Sequence, residues 1–218
     1  MYDELKTIAL SAGATAFGVG HVEDLRTHYD ALPLDQTEGM AHGISIGIRV
    51  SSSVLKSCII GPTRLYLHHY RMINWVLDQT TLRISLAIQD KGYNALPIPA
   101  SQIVDWEKQT AHLSHKMIAL RAGIGWIGRN NMLVHSDCGS KIRIATVLTD
   151  MPLKTDSPIE RDCGECKKCI EICPVSAIKE SYKDWNKVAC LEKLKYFAKA
   201  HNVGQYICGL CVKVCNPS

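Results

Sequence analysis

Cys163-Gly-Glu-Cys166-Lys-Lys-Cys169-Ile-Glu-Ile-Cys173-Pro174 spaces its cysteines as C-x2-C-x2-C-x3-C-P. That spacing serves two clusters: three thiolates wrap one 4Fe-4S cube, and the fourth, followed by proline, ligates the other. A second run, Cys208-Gly-Leu-Cys211-Val-Lys-Val-Cys215, is an imperfect copy, because the position three before Cys208 holds Gln205. Cys190 then has to supply the eighth thiolate from outside the motif. The spacing predicts one cluster on Cys163, Cys166, Cys169 and Cys215, and the other on Cys173, Cys190, Cys208 and Cys211.

Two other uses of cysteine fit less well. Cys-x2-Cys pairs also bind zinc, with four thiolates to each metal, but that leaves Cys169, Cys173 and the proline without a role. Disulfide-dense chains are small and secreted, whereas this one opens Met1-Tyr2-Asp3-Glu4, with no basic segment, apolar stretch or cleavage site of a leader. The compartment expected is the reducing cytoplasm, and the host an anaerobe. Cys58 and Cys138 remain over and are expected to be buried free thiols.

With 218 residues, 46% of them hydrophobic, the chain can bury a substantial core. The expectation is an α+β domain over 1–155 and a small ferredoxin-like double-cluster domain over 156–218. No apolar stretch reaches the roughly 18 residues of a membrane span. The formal charge of +4 is spread along the chain, whereas nucleic-acid binders concentrate a basic face. The grouped lysines Lys167-Lys168 and Lys193, Lys195 and Lys199 read as a solvated face or as a dock for an acidic electron donor.

Periodicity predicts a helix over 3–12, a strand over 14–20 and an alternating strand over 43–50. A helix follows over 64–79 with Leu65, Met72, Ile73 and Val76 on one face, and Thr80-Thr81 as a break or kink. Residues 93–99 end in Pro97-Ile-Pro99 and read as an edge strand or extended loop. A helix over 113–121 is closed by Gly123, and a strand over 141–149 is buried toward its end.

Gly123-Ile-Gly-Trp-Ile-Gly128 matches the dinucleotide fingerprint to the letter. The fingerprint works only between a strand and a following helix, where pyrophosphate meets the helix N-terminus. Here a helix precedes the glycines and a strand follows, so NAD is excluded. The glycines instead mark a tight connection presenting Trp126, Arg129 and Asn130 to a surface or pocket.

Arg121 to Asn130, with Cys138-Gly-Ser140, Leu148-Thr-Asp-Met-Pro-Leu153 and the double cysteine array with its outlying Cys190, resembles the epoxyqueuosine reductase family. The resemblance covers about residues 112 to 215 well. It implies a nitroreductase-like cobalamin domain joined to two 4Fe-4S clusters, as in the related corrinoid reductive dehalogenases. It also implies a proton-donating acid about a dozen residues before the glycine motif. Gln109 stands near that position, with Asp105 and Glu107 as displaced candidates. The family continues past its clusters into a repeat region that helps hold tRNA, whereas this chain stops at Ser218.

These readings combine into an iron–sulfur oxidoreductase that relays single electrons through two clusters to a bound cobalamin, for reduction of an unidentified substrate, a small molecule being one candidate partner. The runner-up is an electron-transfer or cobalamin-handling protein serving a corrinoid protein partner. A tRNA-modifying epoxyqueuosine reductase ranks third, with tRNA not expected as a partner. The expected donor is a ferredoxin or flavodoxin. Asp105, His115 and Tyr66 are the catalytic candidates. Ser101, Gln102, Ser114, His115, Lys116, Gly125, Trp126, Gly128, Arg129 and Asn130 are the candidate cofactor contacts.

Overall fold

The computed structural model describes residues 1–30 and 32–216. The chain divides into two compact units that interleave in sequence: residues 1–48, 74–124 and 143–159 form the first, and 49–73, 125–142 and 160–218 the second. The division expected at 155/156 is linear in sequence, whereas these units are not. Asp156 accepts from the Tyr2 hydroxyl at 2.8 Å and from Val19 N at 2.9 Å, which binds the segment after residue 150 to the first unit. The second unit, in turn, takes two stretches that sequence assigned to the first domain.

In the first unit a four-stranded sheet runs in the order β1 (Ala16–His21), β2 (His42–Arg49), β6 (Ile142–Thr149), β3 (Ala95–Ile98). Pairings β1–β2 and β3–β6 are antiparallel. Pro97 lies in β3, an edge strand, where a missing N–H costs no ladder bond. The first helix, α1 (Tyr2–Ser11), buries Leu5 and Ala9. α4 (His115–Arg121) packs on β1; Gly20 permits this, since a Cβ there would lie 2.6 Å from the Arg121 backbone carbon. Val22, Leu25, Met40, Ile98, Leu113, Ile118 and Leu148 form a buried core cluster.

The long helix α3 (Arg64–Gln89) runs unbroken through Thr80-Thr81. Both hydroxyls donate back along the helix, Thr80 to Val76 O at 2.7 Å and Thr81 to Asp78 O at 2.9 Å, so the β-branched pair is satisfied in helical geometry. Its buried face is Tyr66, Tyr70, Ile73, Leu77, Ile84 and Ile88; of the face expected, Ile73 is buried, but Leu65 is 56% and Met72 45% exposed.

The second unit holds α2 (Ser52–Lys56), the first part of α3, the hairpin of β4 (Trp126–Ile127) and β5 (Leu133–Val134), and three helices that carry cysteines. These are α5 (Lys168–Glu171) with Cys169, α6 (Lys187–Ala200) with Cys190, and α7 (Leu210–Val214) with Cys211; α7 packs against α5 and α2. Asn186 caps α6 by accepting from Ala189 N at 3.0 Å. Among the described residues no helix is long and apolar enough to cross a membrane.

Candidate iron–sulfur and cofactor site

The eight motif thiols fall into neighbourhoods. Burial first, and then the negative charges of Cys215, Cys163 and Cys166, push the Cys169 thiol up to about 11. For Cys190 burial again leads, followed by Cys173 and Cys208, and its thiol also rises to about 11. Cys211 is raised by burial and then by Cys208, Cys190, Cys169 and Cys173. Thiols so crowded and desolvated lose their protons only to a compensating positive charge, which is what ligated iron provides.

Around the first neighbourhood the backbone supplies donors and the fold supplies closeness. Ser140 N donates to Cys215 Sγ at 3.2 Å. Gly139 has φ +64°, and a Cβ there would overlap the Cys215 carbonyl. The Lys141 ammonium, on a residue only 5% exposed, donates to Cys215 O at 2.7 Å and also to Asn216 Oδ1. Burial lowers its pKa, and the Cys215 charge opposes that shift. Ser140 and Lys141 were missed as cluster neighbours, although Cys138-Gly-Ser140 was part of the resemblance.

Arg129, a candidate cofactor contact, holds the Cys163–Cys166 loop. Its guanidinium donates to Cys166 O at 3.0 Å and Gly164 O at 2.8 Å, and its Nε lies 3.5 Å from a Glu180 carboxylate oxygen. Asn130 is likewise structural: its amide donates to Ser140 Oγ at 3.0 Å and its Oδ1 accepts from Met132 N at 3.2 Å. The order helix α4, glycine turn, strand β4 is the one that a dinucleotide turn forbids. A Cβ at Gly125 would overlap the Val134 carbonyl, so the close approach it permits is to the protein's own backbone.

Trp126, Val134, Arg161, Asp162, Cys163 and Cys215 are among the residues bounding a cavity of ≈ 710 Å³ in this unit. That volume lies in the range of small-molecule and cofactor sites. The Arg161 guanidinium stacks on the Trp126 ring at 5.0 Å. Trp126 Nε1 is buried and meets no hydrogen-bond partner among the described residues.

The other candidates are not among the described residues that line this cavity. Ser101, Gln102, Ser114, His115 and Lys116 belong to the first unit. Gln102 Oε1 pairs with His112 Nε2 at 3.2 Å, and Ser114 is the N-cap residue of α4. Both ring nitrogens of His115 are engaged within the protein: its Nδ1 meets Thr146 Oγ1 at 2.8 Å and its Nε2 meets Pro99 O at 3.0 Å. Burial drives its pKa down to about 4, so the ring is neutral at physiological pH, and with the carbonyl accepting from Nε2 it ties Pro99, the residue after β3, to β6 through α4. Tyr66, in the second unit, is buried, with its ring edge-on to Tyr70 at 6.4 Å and against Gly209. Asp105 Oδ1 accepts from Glu107 N at 2.9 Å and Lys108 N at 2.8 Å. Led by the Lys108 N–H, these bonds hold its carboxyl below the usual range at the head of an exposed turn that closes at Gln109, φ +53°. Cys58 and Cys138 are buried free thiols, and burial raises both.

Residues 162–217 match the model of a 4Fe-4S double cluster binding domain. The epoxyqueuosine reductase of Bacillus anthracis is 37% identical over 113 residues, 49% of this chain and 30% of that protein. That of Listeria monocytogenes is 32% identical over 154 residues, 65% of this chain and 39% of that protein. The chain thus spans less than half the length of these curated relatives. Among solved structures, an epoxyqueuosine reductase with an epoxyqueuosine-modified tRNA stem loop superposes with TM-score 0.63 at 18% identity, covering 98% of this chain and 64% of that one. A reductive dehalogenase associated with B12-dependent dehalogenation gives TM-score 0.72 at 18% identity, over 97% of this chain and 30% of that one. The chain is similar in sequence to the epoxyqueuosine reductases over about half to two thirds of its length, has the mixed helix-and-sheet fold that they share with reductive dehalogenases, and carries a double 4Fe-4S cluster domain in its C-terminal region.

Proposed function

We propose that this chain is a cobalamin-linked iron–sulfur reductase of the epoxyqueuosine type, with epoxyqueuosine in tRNA as its substrate. The observation that carries the reading is the wall built around Cys215 and the Cys163–Cys166 loop by the β4–β5 hairpin, Gly139, Ser140 and Lys141, with a cofactor-sized cavity against it. Cys163, Cys166, Cys169 and Cys215 would hold the first cluster, and Cys173, Cys190, Cys208 and Cys211 the second; the neighbourhoods felt by Cys169 and Cys190 support that partition. The cavity wall combines the apolar faces of Trp126 and Val134 with Arg161, Asp162 and Asn216, a mixture that suits a large apolar cofactor fringed with polar groups. A bound corrinoid would supply nucleophilic cobalt chemistry, and clusters held by these cysteines would supply low-potential electrons for it.

The tRNA substrate takes the place of the substrate left unidentified by the sequence. It draws on the names of the curated relatives and on the stem loop held by the solved neighbour. Within the turn at 105–110, Asp105 spends its carboxylate on its own loop, so Glu107 is the acid proposed to protonate the substrate. The donor would be an acidic one-electron carrier docking on α6, whose Lys187, Lys193, Lys195 and Lys199 outnumber Glu192 and whose Val188 is 71% exposed two residues from Cys190. The test is conversion of epoxyqueuosine-containing tRNA to queuosine-containing tRNA by anaerobically reconstituted protein with cobalamin and reductant, followed by nucleoside mass spectrometry beside an established reductase. Repeated turnover is expected. Loaded clusters and bound cobalamin with no product would leave the electron-transfer reading, which the ionised, self-capped Asp105 favours.

A further inference from the structure

Lys141 is 5% exposed, yet its ammonium meets only neutral oxygens, the Cys215 carbonyl at 2.7 Å and the Asn216 amide oxygen. Among the described residues no carboxylate pairs with it. A buried cation without a counter-charge is costly, so native chains pair it or set it against a negative group. The negative groups here are thiolates: after burial, which works against the charge, Cys215 and then Cys138 favour it, while Arg49 and Lys168 oppose it. Arg49 and Lys168 are exposed and screened by water, which leaves Lys141 as the cation acting from the interior. The backbone holds it there. Ser140 N, one residue before, donates to Cys215 Sγ at 3.2 Å. Lys141 N donates to Cys138 O at 3.2 Å, and its carbonyl accepts from Val50 N at 2.9 Å.

We propose that the Lys141 ammonium is the built-in counter-charge of the first cluster and holds that cluster's reduction potential above the value it would have with a neutral residue at 141. Four thiolates leave a 4Fe-4S cube with net negative charge, and one-electron reduction adds to it. A fixed cation beside a ligand therefore stabilises the reduced form more than the oxidised one. A charge, unlike a hydrogen bond, needs no aim at the sulfur: seated on the Cys215 carbonyl, it acts on the same residue's thiolate through the weakly screening interior. This inference rests on the cluster partition proposed above and is independent of the tRNA substrate.

Lys141→Gln keeps a polar donor for the Cys215 carbonyl and removes the charge, whereas Lys141→Arg keeps the charge. In an anaerobic redox titration followed by paramagnetic resonance, fully loaded Lys141→Gln should show the first cluster's couple shifted to lower potential by about a tenfold change in electron affinity, 59 mV for one electron. Lys141→Arg should restore most of the wild-type value. The first cluster's signal is the one that Cys215→Ser abolishes. An unmoved couple in Lys141→Gln overturns the proposal, and so do equal shifts in Lys141→Gln and Lys141→Arg, which would mark the lysine as a tether and not a charge. Should Lys141→Gln fail to retain the first cluster, Asn216→Asp gives a second reading. It leaves the lysine in place, sets a carboxylate on the ammonium and should move the same couple downward; an unmoved couple there overturns the proposal. Loss of neither signal in Cys215→Ser overturns the partition, and the proposal with it.

Discussion

His115 shows how a residue type can mislead at the smallest scale. A histidine beside a glycine motif invites a catalytic reading, and sequence carries no sign of Thr146 and Pro99, which lie 31 and 16 residues away and take both ring nitrogens. Its folded pKa of about 4 lies below the ordinary 6.5. Between those values the unfolded chain binds a proton that the folded one refuses, so stability is complete above about pH 6.5 and falls as pH drops toward 4. The difference corresponds to about 3 kcal/mol as an order of magnitude. Thermal unfolding of wild type and His115→Gln should converge as the pH is lowered from 7 to 5; a constant gap would contradict the buried neutral ring. Asp105 and Glu107 separate in the same way. Glu107→Gln is expected to slow tRNA turnover by about 10²-fold or more, whereas Asp105→Asn, which retains an oxygen acceptor for the turn, should have the smaller effect; steady-state assays of both decide between the two carboxylates.

At the scale of elements, strands and helices were legible wherever one face meets the core. β2, β6, α1 and α4 appear within about two residues of their expected bounds, because alternation or a helical stripe is a direct record of burial. The face of α3 was misread because its buried side is built from tyrosines and threonines as well as aliphatics, while Leu65 and Met72 point outward. The glycine motif was legible as a tight helix-to-strand connection, but its task was not: Arg129 holds the Cys163–Cys166 loop by its carbonyls and Asn130 holds Ser140 by its hydroxyl, partners whose positions sequence does not reveal. The turn at Gly139 belongs to the same wall. Gly139→Ala meets both a left-handed φ and the Cys215 carbonyl, so the variant should lose close to half its iron and keep the resonance signal of the second cluster. Full iron content would show that the wall can yield.

At the scale of the whole molecule, the cysteine spacing announced a double-cluster domain outright, and the family model over 162–217 agrees. The interleaving of the two units was hidden, since nothing local marks 49–73 and 125–142 as companions of a distant cysteine array. Salt should expose the donor face: reduction by an acidic protein donor should slow as ionic strength rises or when Lys193 and Lys195 become glutamates, whereas reduction by dithionite should not. The central claim is that two clusters, each completed by cysteines from both ends of the array, feed electrons to a corrinoid. Its most direct measurement is the absorbance of cobalamin bound to anaerobic, fully reconstituted protein after addition of reduced donor, in wild type and in Cys215→Ser. The account predicts prompt formation of reduced cobalamin in wild type and, in Cys215→Ser, loss of that formation together with the first cluster's resonance signal, the second cluster's signal remaining. Cobalamin reduction at an unchanged rate in Cys215→Ser, or no response to cobalamin in the wild type, would contradict it.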